Sequence, residues 1–268
     1  MAKIYSVANQ KGGVGKTTTT VNLAGALGKM GYKVLLVDLD PQGNATTGSG
    51  LEKNTLALSV YDVLNEDASI TDAIQYSEAA GYSVLGSNRR LAGAEEELLQ
   101  AADKELKLRK GLQQIEDQYD VILIDCPPTL SILTINAFCA SNGLIIPMTC
   151  EYFSLEGVSD LVISVKAVRE QVNSDLVITG LLRVKFDPRV TLQKEVSEEL
   201  INFFGQRVYG TVIPTNVRLA EAPGYGLPGV LYEPSSRGAQ AYTSFAEEFA
   251  KKENLKKSKS KALKKKEA

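Results

Sequence analysis

The sequence predicts an α/β protein with a mostly parallel central sheet and helices on both faces. Three observations lead there. The first 40 residues read as strand, glycine-rich loop, helix and strand, further β-branched runs bounded by turn residues alternate with helical patterns, and 44% of the 268 residues are apolar. That apolar content is enough to bury a sizeable core in one domain.

The elements follow in order. An apolar run at residues 4–7 is followed by glycines, then by an apolar-periodic stretch over 18–30, with Gly31 placed to end that helix as a C′ residue. A second strand spans 34–37. Later strands are expected at 121–124, 144–147, 176–184 and 208–213, and helices over 95–115, 130–140, 155–172 and 192–204. The Pro/Gly-rich stretch 223–234 reads as an ordered surface loop before a last helix near 238–252. Residues 1–253 thus form one domain. From 254 to 268 the chain is mostly Lys, Ser, Ala and Glu, too poor in apolar residues to offset ordering entropy, and is expected to be disordered.

Composition removes several function classes. Histidine is absent, which excludes Ser-His and Cys-His nucleophilic chemistry and most catalytic zinc sites. Cys126, Cys139 and Cys150 lack paired metal-ligand spacing and read as buried free thiols. The first residues are not a signal peptide, because Asn9, Gln10 and Lys11 break the apolar run, and no uncharged apolar stretch of about 18 residues is present. A cytoplasmic protein is expected. Its net charge of −2 is unevenly spread: residues 251–268 hold nine lysines and two glutamates, a net +7, so the rest carries −9.

In parallel sheets ligands bind beyond the carboxyl ends of the strands, where the loops after Val7, Val37 and Ile124 would gather. The first loop reads Lys11-Gly12-Gly13-Val14-Gly15-Lys16-Thr17-Thr18, between a strand and a helix as a phosphate-binding P-loop requires. Its glycines let backbone N–H groups curl around phosphate oxygens, and the helix N-terminus adds a favourable dipole. Lys16 would reach the β- and γ-phosphates of ATP, and Thr17 would ligate Mg2+. The generic motif asks for Gly where this chain has Gln10. The second loop carries Asp38 and Asp40, which strand alternation would send in a similar direction, towards magnesium and the attacking water. The third strand ends in Asp125, placed to hold the metal through water.

These residues resemble the ParA/MinD group of deviant Walker ATPases, and most closely its short ParA type, called Soj. The resemblance runs over residues 1–250, through Lys-Gly-Gly-Val-Gly-Lys-Thr-Thr (11–18), Asp-Leu-Asp-Pro-Gln-Gly-Asn (38–44), Ser-Asn-Arg-Arg-Leu-Ala-Gly-Ala-Glu (87–95), Ile-Asp-Cys-Pro-Pro (124–128), Glu-Tyr-Phe-Ser-Leu-Glu-Gly (151–157) and Asn-Val-Arg-Leu-Ala-Glu-Ala-Pro (216–223). Members of this branch often carry Gln at the position of Gln10. The resemblance implies a homodimer with ATP sandwiched between subunits, in which Lys11 crosses to the partner's phosphates. It further implies that Asp40 orients or activates the hydrolytic water, that Asp38 supports metal and water, and that Asp125 completes the magnesium shell. The loop around Pro214 and Asn216 would form the adenine pocket.

The same resemblance implies nonspecific DNA binding by the ATP dimer, with Arg189 and Arg218 at matching positions, and slow hydrolysis until a ParB-like protein stimulates it. The protein would then be nucleoid-associated and drive chromosome or plasmid partition. Thr215 and Gly224 depart from the family wording, which removes one basic contact. The lysine tail could replace it or could be solubilising only. Two alternatives stay open: a ParA-like ATPase that positions a protein cargo, and a MinD-like membrane-associated ATPase. The latter needs an amphipathic helix, for which the tail offers only Leu255 and Leu263, so no membrane partner is expected.

Overall fold

The computed structural model describes residues 1–152 and 157–258 in full and the backbone of 154–156. Eight strands, β1 (Lys3–Val7), β2 (Val34–Asp38), β3 (Ile74–Ser77), β4 (Tyr82–Leu85), β5 (Val121–Asp125), β6 (Gly143–Thr149), β7 (Val177–Val184) and β8 (Val208–Ile213), form one sheet in the order β3-β4-β2-β5-β1-β6-β7-β8. Every neighbouring pair is parallel except the β3–β4 hairpin at one edge.

Both faces are buried, and the period-2 alternation of a strand sorts side chains between them. Leu35, Val37, Ile122, Ile124, Leu144 and Ile146 point to one side, where Leu98, Leu112, Phe138, Leu161 and Leu200 of five helices cover them. Val34, Leu36, Val121, Leu123 and Ile145 point to the other. There the helix Lys16–Lys29 and the C-terminal helix Arg237–Lys252 supply Leu23, Leu27, Phe245 and Phe249. Gly31 closes the first helix with φ +88°.

Two expectations are corrected. The stretch 95–115 is not one helix but two, Leu91–Gln100 and Lys107–Gln113. The break is fixed from outside: Asn136, on the helix Ile132–Ala140, donates to the Lys104 carbonyl (2.6 Å) and accepts from the Leu108 N–H (3.1 Å). The β3–β4 hairpin was not expected at all. The residues expected as a loop at 223–234 fold into a 3-10 turn, Ala222–Tyr225, and a short helix, Gly229–Tyr232.

At the far edge of the sheet, β8 lies beside the C-terminal helix. The Glu248 carboxylate accepts the Gly210 and Thr211 amides at 2.7 and 2.9 Å. The chain stays packed past the expected domain boundary at 254. Leu255 lies against the second-face core, the Lys257 ammonium sits 5.2 Å from the Tyr32 ring centroid, and the Ser258 N–H donates to Asp120 at 2.7 Å. The rest of the expected disordered tail, 259–268, lies outside the described residues.

Candidate nucleotide site

Register brings the three loops together. Val7 and Asp38 are both paired with Asp125, so β1, β2 and β5 end level at one edge of the sheet. Asn9 pins the start of the glycine-rich loop, donating to the Pro147 carbonyl (2.8 Å) and accepting the Lys11 N–H (2.9 Å). Gly13 and Gly15 have φ +74° and +77°, values that glycine adopts without strain. The helix begins at Lys16 with Gly15 as N-cap and no side-chain cap, which leaves first-turn amides free for an anion.

Lys16 is 7% exposed, and its ammonium donates to the Lys11 carbonyl at 3.3 Å. Burial lowers its pKa, against the pull of Asp125. The Thr17 and Thr20 hydroxyls donate to the two oxygens of Asp125 at 2.8 and 2.9 Å. Asp38 takes the Thr46 N–H (2.8 Å), the Thr46 hydroxyl (2.7 Å) and the Asp40 N–H (3.1 Å). Both aspartates are fully buried, and burial raises the pKa of each; the nearby Asp38 raises Asp125 further.

Asp38 and Asp40 differ in burial and in partners, although Asp40 stays close enough to act on Asp38, Asp125 and Lys16. β2 ends at Asp38, so strand alternation does not extend to Asp40. Asp38 turns inward to Thr46, whereas Asp40 is half-buried and accepts the Gln42 N–H at 2.9 Å. The Asp40 carbonyl is held by the Ser87 hydroxyl (2.8 Å) and the Gly43 N–H (2.9 Å). Lys11 lies on the outside, where its ammonium bonds the Glu151 carboxylate of the same chain and pulls that carboxyl's pKa down.

Beyond Thr18 a cavity of about 270 Å³ is lined by Gly15, Thr18, Lys185, Pro214, Asn216 and Tyr242. Pro214 and Asn216 are therefore beside the phosphate loop, with the Asn216 side-chain oxygen Oδ1 accepting the Arg218 and Leu219 N–H groups (3.0 and 3.3 Å). Arg189 and Arg218 follow β7 and β8 at this same edge. Each holds an acidic neighbour at 2.7 Å, Asp187 and Glu221 respectively.

Sequence reasoning missed Thr20, Thr46 and Lys185 and assigned no role to Ser87 or Glu151. Thr20 carried a signal, three residues beyond Thr17 and so on the same helix face. Ser87 and Glu151 open two of the segments that carry the family resemblance, 87–95 and 151–157. Thr46 and Lys185 are found only through their contacts.

The site suits magnesium and a nucleotide phosphate. A hydroxyl and a buried carboxylate flank a glycine cradle and a lysine. Among the described residues no group of three or more acidic or cysteine side chains could hold a metal alone. Magnesium takes few protein ligands and keeps water and phosphate oxygens for the rest.

Strand, glycine loop, helix and the two strand-end aspartates define a P-loop ATPase. A family model described as an AAA domain matches residues 2–178. The chain is 48% identical to the sporulation initiation inhibitor protein Soj of Bacillus subtilis, over 93% of this chain and 99% of that one. It is 42% identical to the chromosome partitioning protein ParA of Caulobacter vibrioides, over 94% and 95%. A cobyrinic acid a,c-diamide synthase from Mycobacterium smegmatis, solved with ADP and magnesium, superposes with a TM-score of 0.81 at 35% identity, over 92% and 93%. This chain belongs to the ParA/MinD family of ATPases.

Proposed function

We propose that the protein is an ATP-dependent dimerising switch that binds DNA nonspecifically in its ATP form and hydrolyses ATP when a ParB-like partner stimulates it, driving chromosome or plasmid partition. The observation that carries this reading is the assembly of Lys16, Thr17, Asp38, Asp40 and Asp125 at one sheet edge, with Lys11 free of that cluster on its outer side. The names of the Soj and ParA relatives supply the biological direction.

Magnesium, when bound with ATP, neutralises phosphate charge and polarises the phosphoryl group. Thr17 and Asp125 are the residues that would hold it, with Lys16 on the phosphates. Asp38, which accepts the Asp40 N–H, would act one step back, and Asp40 would orient water. Lys11 must leave Glu151 to reach a partner's phosphates, which makes the loop part of a dimer interface. Arg189 and Arg218 would contact DNA phosphates, giving affinity that falls steeply with salt and reads little sequence.

DNA binding measured with ATP, with ADP and without nucleotide tests the switch; equal binding in all three states would sink it. Lys16→Ala is expected to abolish ATP binding. Asp40→Ala is expected to accumulate an ATP-bound dimer that holds DNA, and normal hydrolysis by this variant would remove Asp40 from the water-orienting role.

A further inference from the structure

Lys185, immediately after β7, is one of three described non-glycine residues with positive φ, at +53°. Left-handed backbone is unfavourable for a residue with a Cβ, and lysine has no short polar side chain to stabilise it locally. Strain of this kind persists where surrounding structure holds it, and it concentrates at functional sites. Here the turn lets Phe186 continue the sheet pairing, its N–H donating to the Ile213 carbonyl at 3.0 Å. It also sends the Lys185 side chain towards the glycine-rich loop, where the ammonium donates to the Gly13 carbonyl at 2.8 Å.

The choice of acceptor matters. A loop that turns successive amides inward onto a phosphate turns carbonyls outward, and an outward carbonyl left to water lets its peptide plane rotate. Gly12 and Gly13 have open space around a would-be Cβ, so packing does not hold this part of the loop. Besides the longer Lys16 bond to the Lys11 carbonyl, the charged hydrogen bond on this part of the loop comes from a residue that also lines the cavity beside Pro214 and Asn216. We infer that Lys185 is a positioning residue for the phosphate loop, holding the Gly13 peptide plane in its phosphate-facing orientation from the wall of the neighbouring cavity. This rests on the glycine loop being the ATP site.

A group that preorganises the loop stabilises bound ATP in ground and transition states alike, so its loss raises KM and leaves kcat in place. ATPase kinetics of full-length wild type, Lys185→Met, Lys185→Gly and Lys185→Arg decide the matter. Losing one charge-assisted bond on an exposed side chain is expected to raise KM about five- to tenfold in Lys185→Met, with kcat within about twofold. Lys185→Gly relieves the backbone strain and removes the ammonium. It is expected to melt no lower than wild type yet to share the raised KM. Lys185→Arg, which keeps a charged donor, is expected to restore most of the affinity. An unchanged KM in Lys185→Met overturns the inference. So does a normal KM in Lys185→Gly, which would assign the effect to the backbone, and so does a fall in kcat without a rise in KM. Wild-type turnover in the same assay shows separately that the loop is at work in an ATPase.

Discussion

Asp38 and Asp125 face each other in register at the ends of β2 and β5, and their close partners are hydroxyls and amides rather than cations. Their pKa values are raised by burial, so folding takes up protons that the unfolded chain has released. For a raised folded-state pKa the contribution to stability is complete below the ordinary aspartate value. It is lost as pH rises through the folded-state value. Burial raises Asp38 to about 6 and Asp125 to about 8, so without magnesium and nucleotide the unfolding free energy is expected to fall as pH rises from about 4 to about 8, by at most about 1.4 kcal/mol per pH unit for each such group, and the melting temperature with it. The absence of histidine removes the side chain that ordinarily titrates in this window. Thermal melts with a chelator should show Asp125→Asn flattening the dependence; parallel curves for the variant and wild type would exclude Asp125 as its source.

The loop after β2 works as an element because the loop after β4 clamps it. Gly43 sits at φ +61°, and a Cβ there would lie 2.6 Å from the Ser87 carbonyl oxygen. Gly43→Ala is expected to cost about 1–3 kcal/mol in denaturant unfolding, and to slow ATP turnover by displacing Asp40. Six of the parallel strands, the glycine loop and Asp125 were legible because each is a local pattern: an apolar run, a spacing of glycines, an acid at a strand end. The β3–β4 hairpin was not, since Gln75 and Tyr76 are exposed on an edge strand and carry no buried alternation. The split of 95–115 was hidden because its cause, Asn136, belongs to another helix. In the site, Thr20 meets Asp125 across 105 residues, hinted at only by its i+3 spacing from Thr17, and Lys185 meets Gly13 across 172, which no local pattern announces.

Over the whole molecule, charge and topology separate the basic features. Arg189 and Arg218 follow strands that end at the nucleotide edge. Ser258 is bound to Asp120, which precedes β5 at the opposite edge, about 17 Å away along the strand. Ser258, the last described residue before the five lysines and Glu267 of 259–268, therefore lies at the end of the sheet remote from the arginines. Deleting 259–268 keeps the packed residues 254–258 and tests the tail alone. In DNA titrations the slope of log affinity against log salt is expected to become shallower by about 0.9 for each phosphate the tail neutralises. An unchanged slope would leave the tail a solubilising role.

Sheets grow at their edges, and this one ends in a parallel strand that would otherwise offer free donors to another copy of the chain. Where β8 slips register against β7, Glu248 takes two adjacent amides, those of Gly210 and Thr211, with a single carboxylate. A second molecule meeting β8 thus finds the middle of the strand already engaged by the C-terminal helix. Glu248→Ala is expected to scatter more light on concentration while retaining ATP turnover; scattering equal to wild type would show that the open edge alone does not recruit a second chain.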